Sequence, residues 1–155
     1  MAKETKADYF RVSQENNVIQ TWETFGWEVV TTQKCDYHGY DAVKITFSRD
    51  KDMKNYKELL RLDNEFHRDQ DLIEDLKEEK EKMMKSIPEP PKFYFLTIFI
   101  FPLFLLHLFL YFGTKKEIEK KYQAAKIRSK EIDEQVSKLV DNCENCLKQA
   151  KALIW

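Results

Sequence analysis

Cys143 and Cys146 stand three apart in Cys-Glu-Asn-Cys, the spacing of a dithiol redox pair or of half a zinc site. Zinc needs four ligands, and neither a second cysteine pair nor a histidine lies near enough in sequence to complete them. Both cysteines also fall on successive positions of a heptad stripe, where small side chains pack, and that reading is preferred over an intersubunit disulfide, a shared metal site or redox catalysis. Cys35, Asp36, His38 and Asp41 form a second cluster, in which Cys-x-x-His could offer two ligands and Asp41 could orient the imidazole. A polar turn around Gly39 accounts for the same residues and is preferred. No Gly-rich phosphate loop, His-Glu-x-x-His motif or nucleophile elbow occurs. The reading is therefore no catalytic residue, no metal, no cofactor and no enzyme.

One further titratable group stands out because of its surroundings. His107 is the single ionisable side chain between Phe93 and Phe112, a run that holds seven of the eleven phenylalanines and no Asp, Glu, Lys or Arg. Twenty such residues in a helix span roughly 30 Å, the thickness of a bilayer's hydrocarbon core. The run is therefore expected to be a transmembrane or re-entrant segment over residues 93–112. Tyr94 and Tyr111 suit the headgroup level, and Lys92, Lys115 and Lys116 mark the polar limits. Pro102, near the midpoint, is expected to kink the helix, and His107 with Pro102 is the candidate intramembrane polar site. A neutral imidazole bonded to the Leu103 carbonyl or to a neighbouring helix is the plainer reading of His107. A single pass is favoured over a hairpin with both ends in the cytoplasm, although the lysines flanking the run are too evenly divided to orient it.

Composition excludes several classes. Three glycines and four prolines in 155 residues rule out collagen-like and Pro/Gly-rich disordered chains. The balance of 26 Lys and Arg against 27 Asp and Glu, a net charge of -1, offers no bulk attraction for nucleic acid. Residues 1–50 are themselves slightly acidic, so no direct nucleic-acid binding is expected. Three cysteines do not make a disulfide framework.

Two charged stretches flank the apolar run. Over residues 115–154 the less polar positions Ile118, Tyr122, Ala125, Ser129, Ile132, Val136, Leu139, Cys143, Cys146, Ala150 and Leu153 alternate in steps of four and three, a coiled-coil seam. Over residues 53–87 the corresponding positions are Leu59, Leu62, Phe66, Asp69, Ile73, Leu76, Lys80, Met83 and Ile87. Either helix alone would expose its stripe, so each needs a partner: the other helix in a hairpin, or a second copy of the chain. Self-association is expected in both cases.

Residues 1–7 are expected to be disordered and residues 8–50 to form a small α+β domain. Tyr9 and Arg11 share one face of a first strand; Val18 to Phe25 suggest a short helix closed by Gly26; and WEVVTTQKC and DAVKITFSR read as two more strands joined at His38 and Gly39. In the last strand Val43, Ile45 and Phe47 alternate with Lys44, Thr46 and Ser48, so one face is buried. Trp22, Phe25 and Trp27 are the candidate head contact surface, against the long helix that follows. With Gly26, Trp27, Glu28, Val29 and Val30 opening the second strand, this stretch resembles a small uncharacterised bacterial β-α-β-β module whose hallmark is a Gly-Trp-Glu-Leu-Val strand. The resemblance implies the β-α-β-β order and no chemistry.

The combined expectation is a membrane protein: a β-α-β-β domain, a long amphipathic helix, a proline-kinked transmembrane segment and a long C-terminal coiled-coil helix. Its function would be that of a membrane-anchored scaffold or accessory subunit that oligomerises or recruits a membrane or cytoplasmic partner protein. The alternative is a membrane enzyme or a channel or transporter component with a site formed by assembly. Localisation would be the cell membrane, with the lipid bilayer as partner and the N-terminal domain in the cytoplasm.

Overall fold

The computed structural model describes residues 2–88 and 101–154, and for 101–110 the backbone alone. The elements are β1 (Lys3–Arg11), a 3-10 turn (Val12–Gln14), α1 (Glu15–Thr24), β2 (Glu28–Tyr37), β3 (Tyr40–Asp50), α2 (Tyr56–Lys85) and α3 (Phe101–Ile154). They fall into two compact units, Met1–Asp71 with Leu139–Trp155, and Leu72–Lys138.

In the first unit the three strands form an antiparallel sheet in the order β1-β3-β2. β1 opens at Lys3, inside the segment expected to be disordered, because residues 3 to 7 pair with residues 50 to 46 of β3 and so satisfy their backbone groups. His38 and Gly39 both take positive φ, 52° and 81°, as a tight two-residue hairpin between Tyr37 and Tyr40 requires, and Asp36 accepts a hydrogen bond from the Gly39 N–H at 3.1 Å. A bulge between Val29 and Thr31 breaks the β2 register and leaves Val30 exposed.

α1 ends as its sequence anticipates. Gly26, at φ 80°, donates to the Glu23 carbonyl at 3.0 Å, and the Trp27 N–H reaches the Trp22 carbonyl at 3.2 Å, which together close the helix in a Schellman motif. A methyl at Gly26 would also meet Met53 Cε at 2.7 Å. The closure aims Trp22, Phe25 and Trp27 inward. Trp22 stacks on Phe47 at 4.4 Å, and Phe25 packs against Phe66 of α2 at 5.2 Å. With Val43, Ile45, Leu59 and Leu62 these rings make the core between the sheet and α2. Each large apolar side chain sealed there contributes about 1.5–3 kcal/mol.

The helical stripes are covered within the chain. In the first unit Asn55 donates to the Leu153 carbonyl at 3.0 Å and Asn142 reaches Asp69, while Leu59, Leu62, Phe66, Cys143, Cys146 and Ala150 are buried. In the second unit Lys80 pairs with Asp133 at 2.6 Å and Arg128 with Glu79 at 3.0 Å, over a seam in which Ala125 and Ile132 are buried. Ile73, Leu76, Met83, Ile87, Ile118, Val136, Leu139 and Leu153 are half-buried, and Tyr122 alone of the C-terminal seam positions is largely exposed. Within each unit α2 and α3 run antiparallel. The expectation of self-association is therefore corrected, because the stripes that were to need a second copy already face each other.

The membrane reading is corrected as well. Among the described residues no helix is long and apolar enough to cross a membrane. Residues 93–100 of the expected segment lie outside the described residues. From Phe101 the run is part of α3, and beyond Phe112 that helix turns polar at Lys115, Lys116 and Glu117. The lack of a crossing helix among the described residues overturns the transmembrane segment, the bilayer as partner, the cell-membrane localisation, and both the membrane-anchored scaffold and the membrane enzyme or channel. Pro102 falls in α3, and the His107 side chain lies outside the described residues.

Candidate functional site

Strand alternation sorts the side chains of the first unit onto two faces. The register puts Val43, Ile45, Phe47 and Arg49 of β3 toward the helices and Ala42, Lys44, Thr46 and Ser48 on the opposite face. Tyr9 and Arg11 of β1 pair with Lys44 and Ala42; Gln33, Cys35 and Tyr37 of β2 pair with Lys44, Ala42 and Tyr40. All of these therefore share the face away from the core.

Near the hairpin this face is a tyrosine ledge. Tyr9 and Tyr37 stack almost parallel, with centroids 4.3 Å apart and planes at 9°. The register places Ala42 between them, small enough to let the rings meet, and it is 1% exposed. Tyr40 meets Tyr37 edge-on at 5.9 Å, and His38 does so at 4.3 Å. Two cations rest on the rings: the Arg11 guanidinium 5.6 Å from the Tyr40 centroid and the Lys44 ammonium 5.5 Å from that of Tyr9. Arg49, Arg61, Arg68 and Arg128 each hold a carboxylate. Among the described residues Arg11 and Lys44 have none in ion-pair reach, and this half of the face carries no acidic side chain.

The opposite side of β3 holds a polar network sealed in the core. Arg49, 1% exposed, donates to Glu4 Oε1 at 2.6 Å and to the Phe25 carbonyl at 3.1 Å, lies 3.2 Å from Asp63 Oδ2, and covers the Trp27 ring at 4.3 Å. Trp27 donates its indole N–H to the same Asp63 oxygen at 3.0 Å. Asp63 Oδ1 lies 3.2 Å from His67 Nε2, off the line of a good hydrogen bond. Burial pushes the Asp63 carboxyl up, but the neighbouring His67 and Trp27 side chains and the Arg49 charge outweigh it and hold the carboxyl below its ordinary value. These groups are turned toward one another, and their chemistry is that of holding β3 to α2.

No family model matches the chain, nor does any curated protein or solved structure.

The residues singled out in the sequence are distributed as follows. Cys143 and Cys146 are buried in the first unit, with the Cys143 thiol toward the Phe66 carbonyl at 3.8 Å. Burial, then the nearby carboxylates, raises both thiols above their ordinary value. Cys35 shares the ledge face with Ala42, whereas Asp36 and Asp41 pair with each other on the opposite one, so the second cluster does not converge. Among the described residues no three His, Cys, Asp or Glu side chains could hold a metal ion together. Trp22, Phe25 and Trp27 lie in the core, facing His67, Phe66 and Asp63 of α2.

The ledge itself was not assembled from the sequence. Its signal was present in the alternation of Tyr9 with Phe10 and of Lys44 with Val43, but the strand pairing that brings Tyr37 and Tyr40 to the same face is a property of the fold.

Proposed function

We propose that this chain is a non-catalytic recognition module whose ligand surface is the uncovered face of the β1-β3-β2 sheet beside the His38–Gly39 turn. The observation that carries the reading is the pairing of Arg11 and Lys44 with tyrosine rings instead of carboxylates. A cation resting on a ring, free of acid, is available to an incoming anion, and an exposed ring offers a flat apolar surface next to it. Tyr9 is 37% exposed, and Tyr37 and Tyr40 are half-buried, so the rings combine a rigid footing with an open side. The ledge has the makeup of a binding surface, with rings, two cations and the neutral Gln33, Thr31 and Thr46.

The test is to probe the full chain with small planar aromatic compounds, neutral and anionic, and to follow backbone amide shifts. Shifts concentrated on Tyr9, Tyr37, Tyr40 and Lys44, lost in Tyr37→Ala, are expected. A panel that leaves these amides unmoved, or moves those of α2 and α3 instead, would overturn the reading.

A further inference from the structure

Resting on that reading, we infer that the occupant of the tyrosine ledge is single-stranded nucleic acid. Bases present flat apolar faces at intervals along a strand of negative charge, and proteins that bind such strands set aromatic rings beside unpaired cations. The ledge supplies both elements on one surface. Tyr37 lies 4.3 Å from Tyr9 and 5.9 Å from Tyr40, and Arg11 and Lys44 mark the ledge's margin on β1 and β3.

The acidic balance of residues 1–50 does not oppose this, because the fold separates the charges. Glu4 is spent on Arg49 and Tyr56, Asp36 caps the hairpin turn, and Asp8 and Asp41 project from the other side of their strands. Glu28 shares the ledge's face but pairs with Ser48, at the far end of the sheet from the hairpin. Lys3 and Asp50 face each other at that same end. On the ledge face beside the tyrosines the charged side chains are Arg11 and Lys44.

The choice against an acidic peptide follows from the rings. Carboxylates would satisfy Arg11 and Lys44 but offer nothing to the tyrosine faces, whereas a nucleotide engages both. A duplex conceals its base faces within its stack and would meet the ledge only through phosphates, so the unstacked strand is the form that fits. With two cations involved, the ligand makes about two phosphate contacts, which gives a slope of log affinity against log salt near -1.4, shallow beside that of a strongly basic binder.

The experiment titrates the full chain with fluorescein-labelled 12-nucleotide oligothymidylate, the same strand annealed to its complement, and a labelled oligoglutamate, reading anisotropy at several salt concentrations. The expected result is binding of the single strand ahead of the duplex, a slope near the value above, about tenfold weaker binding in Tyr37→Ala, and near-loss in the Arg11→Glu, Lys44→Glu double variant. Because Arg11 is exposed and Lys44 only half-buried, the charge variant leaves the core intact and keeps the test meaningful if Tyr37→Ala folds poorly. Absent binding of the single strand, or binding indifferent to the charge variant, would overturn the inference. Capture of oligoglutamate alone, sensitive to that variant, would overturn the nucleic-acid occupant while leaving the recognition surface standing; the planar-compound panel fails only if the surface itself is wrong.

Discussion

Arg49 on the central strand and Asp63 on the following helix face each other at 3.2 Å in a core where the arginine is 1% exposed and the aspartate 5%. Two charges have been taken out of water there, and each has been given several partners: Glu4, the Phe25 carbonyl and two aromatic rings for Arg49, the Trp27 indole and His67 for Asp63. Such a pair adds little net stability over a packed apolar alternative, but breaking it leaves a buried charge exposed to nothing. Arg49→Met is expected to cost about 3–5 kcal/mol. In Arg49→Met, Asp63→Asn together the loss should be clearly less than the sum of the single losses, because each variant removes the other's reason for being charged. Urea unfolding of the four proteins measures this, and strict additivity would show that the two residues act independently.

The same aspartate sets an acid limit. Asp63 and Asp69 both ionise below their ordinary value. Burial opposes this in each case, but His67 and Trp27 at the first, and Asn142 with Arg68 at the second, outweigh it. The unfolded chain, whose aspartates titrate near about 4, therefore binds protons more readily than the folded one. Their contribution is fully present above that pH and is lost as the pH falls through the lower folded values. Stability measured by urea midpoint should hold between pH 5 and 7 in this respect and drop below about pH 4. Asp63→Asn should flatten part of the acid fall. An unchanged slope would remove Asp63 from the cause.

The helical stripes could be read from the sequence because a side chain's position on a helix follows from its spacing alone. Ile132 and Cys146 were placed on a seam by steps of four and three, and both are buried. What covers the seam was not readable, since a stripe accepts another copy as well as a neighbouring helix of its own chain. Charge gave no warning either: Asp63 and His67 look like two more groups on a solvated helix, and only the fold reveals that Trp27 and Arg49 have been brought against them. The ledge failed to emerge for a related reason. Tyr9 and Tyr37 are 28 positions apart, and their stacking depends on the order β1-β3-β2, which places the last strand between the first two. The apolar run misled in the opposite direction, its composition being legible and its continuation into the charged helix α3 carrying no separate signal.

Thiol chemistry should separate the three cysteines. Cys35 is half-buried on the sheet, whereas Cys143 and Cys146 are buried and their thiols are pushed up by burial and by Asp69 nearby, which disfavours the reactive thiolate. At neutral pH a maleimide should label Cys35 first in the native chain and reach the other two only on unfolding, as peptide mass mapping would show. Rapid native labelling of Cys146 would contradict the packing of α3 against α2.

Ile132 offers the most direct test of how the second unit is held. It is fully buried on α3, and Lys80 with Asp133 and Arg128 with Glu79 flank the seam it fills. Those outer pairs are screened by solvent, so the buried apolar side chain dominates. Ile132→Asp places an unpaired carboxylate there and should cost about 3 kcal/mol or more, with Ile132→Val costing about 0.5–1.5 kcal/mol. Because the partner surface belongs to the same chain, the unfolding midpoint of the wild type and of both variants should be independent of protein concentration over a hundredfold range. A seam shared between copies would instead make the midpoint rise with concentration, since association then enters the equilibrium. A concentration-dependent midpoint abolished by Ile132→Asp would therefore reverse the assignment of α2 as the helix that covers this stripe.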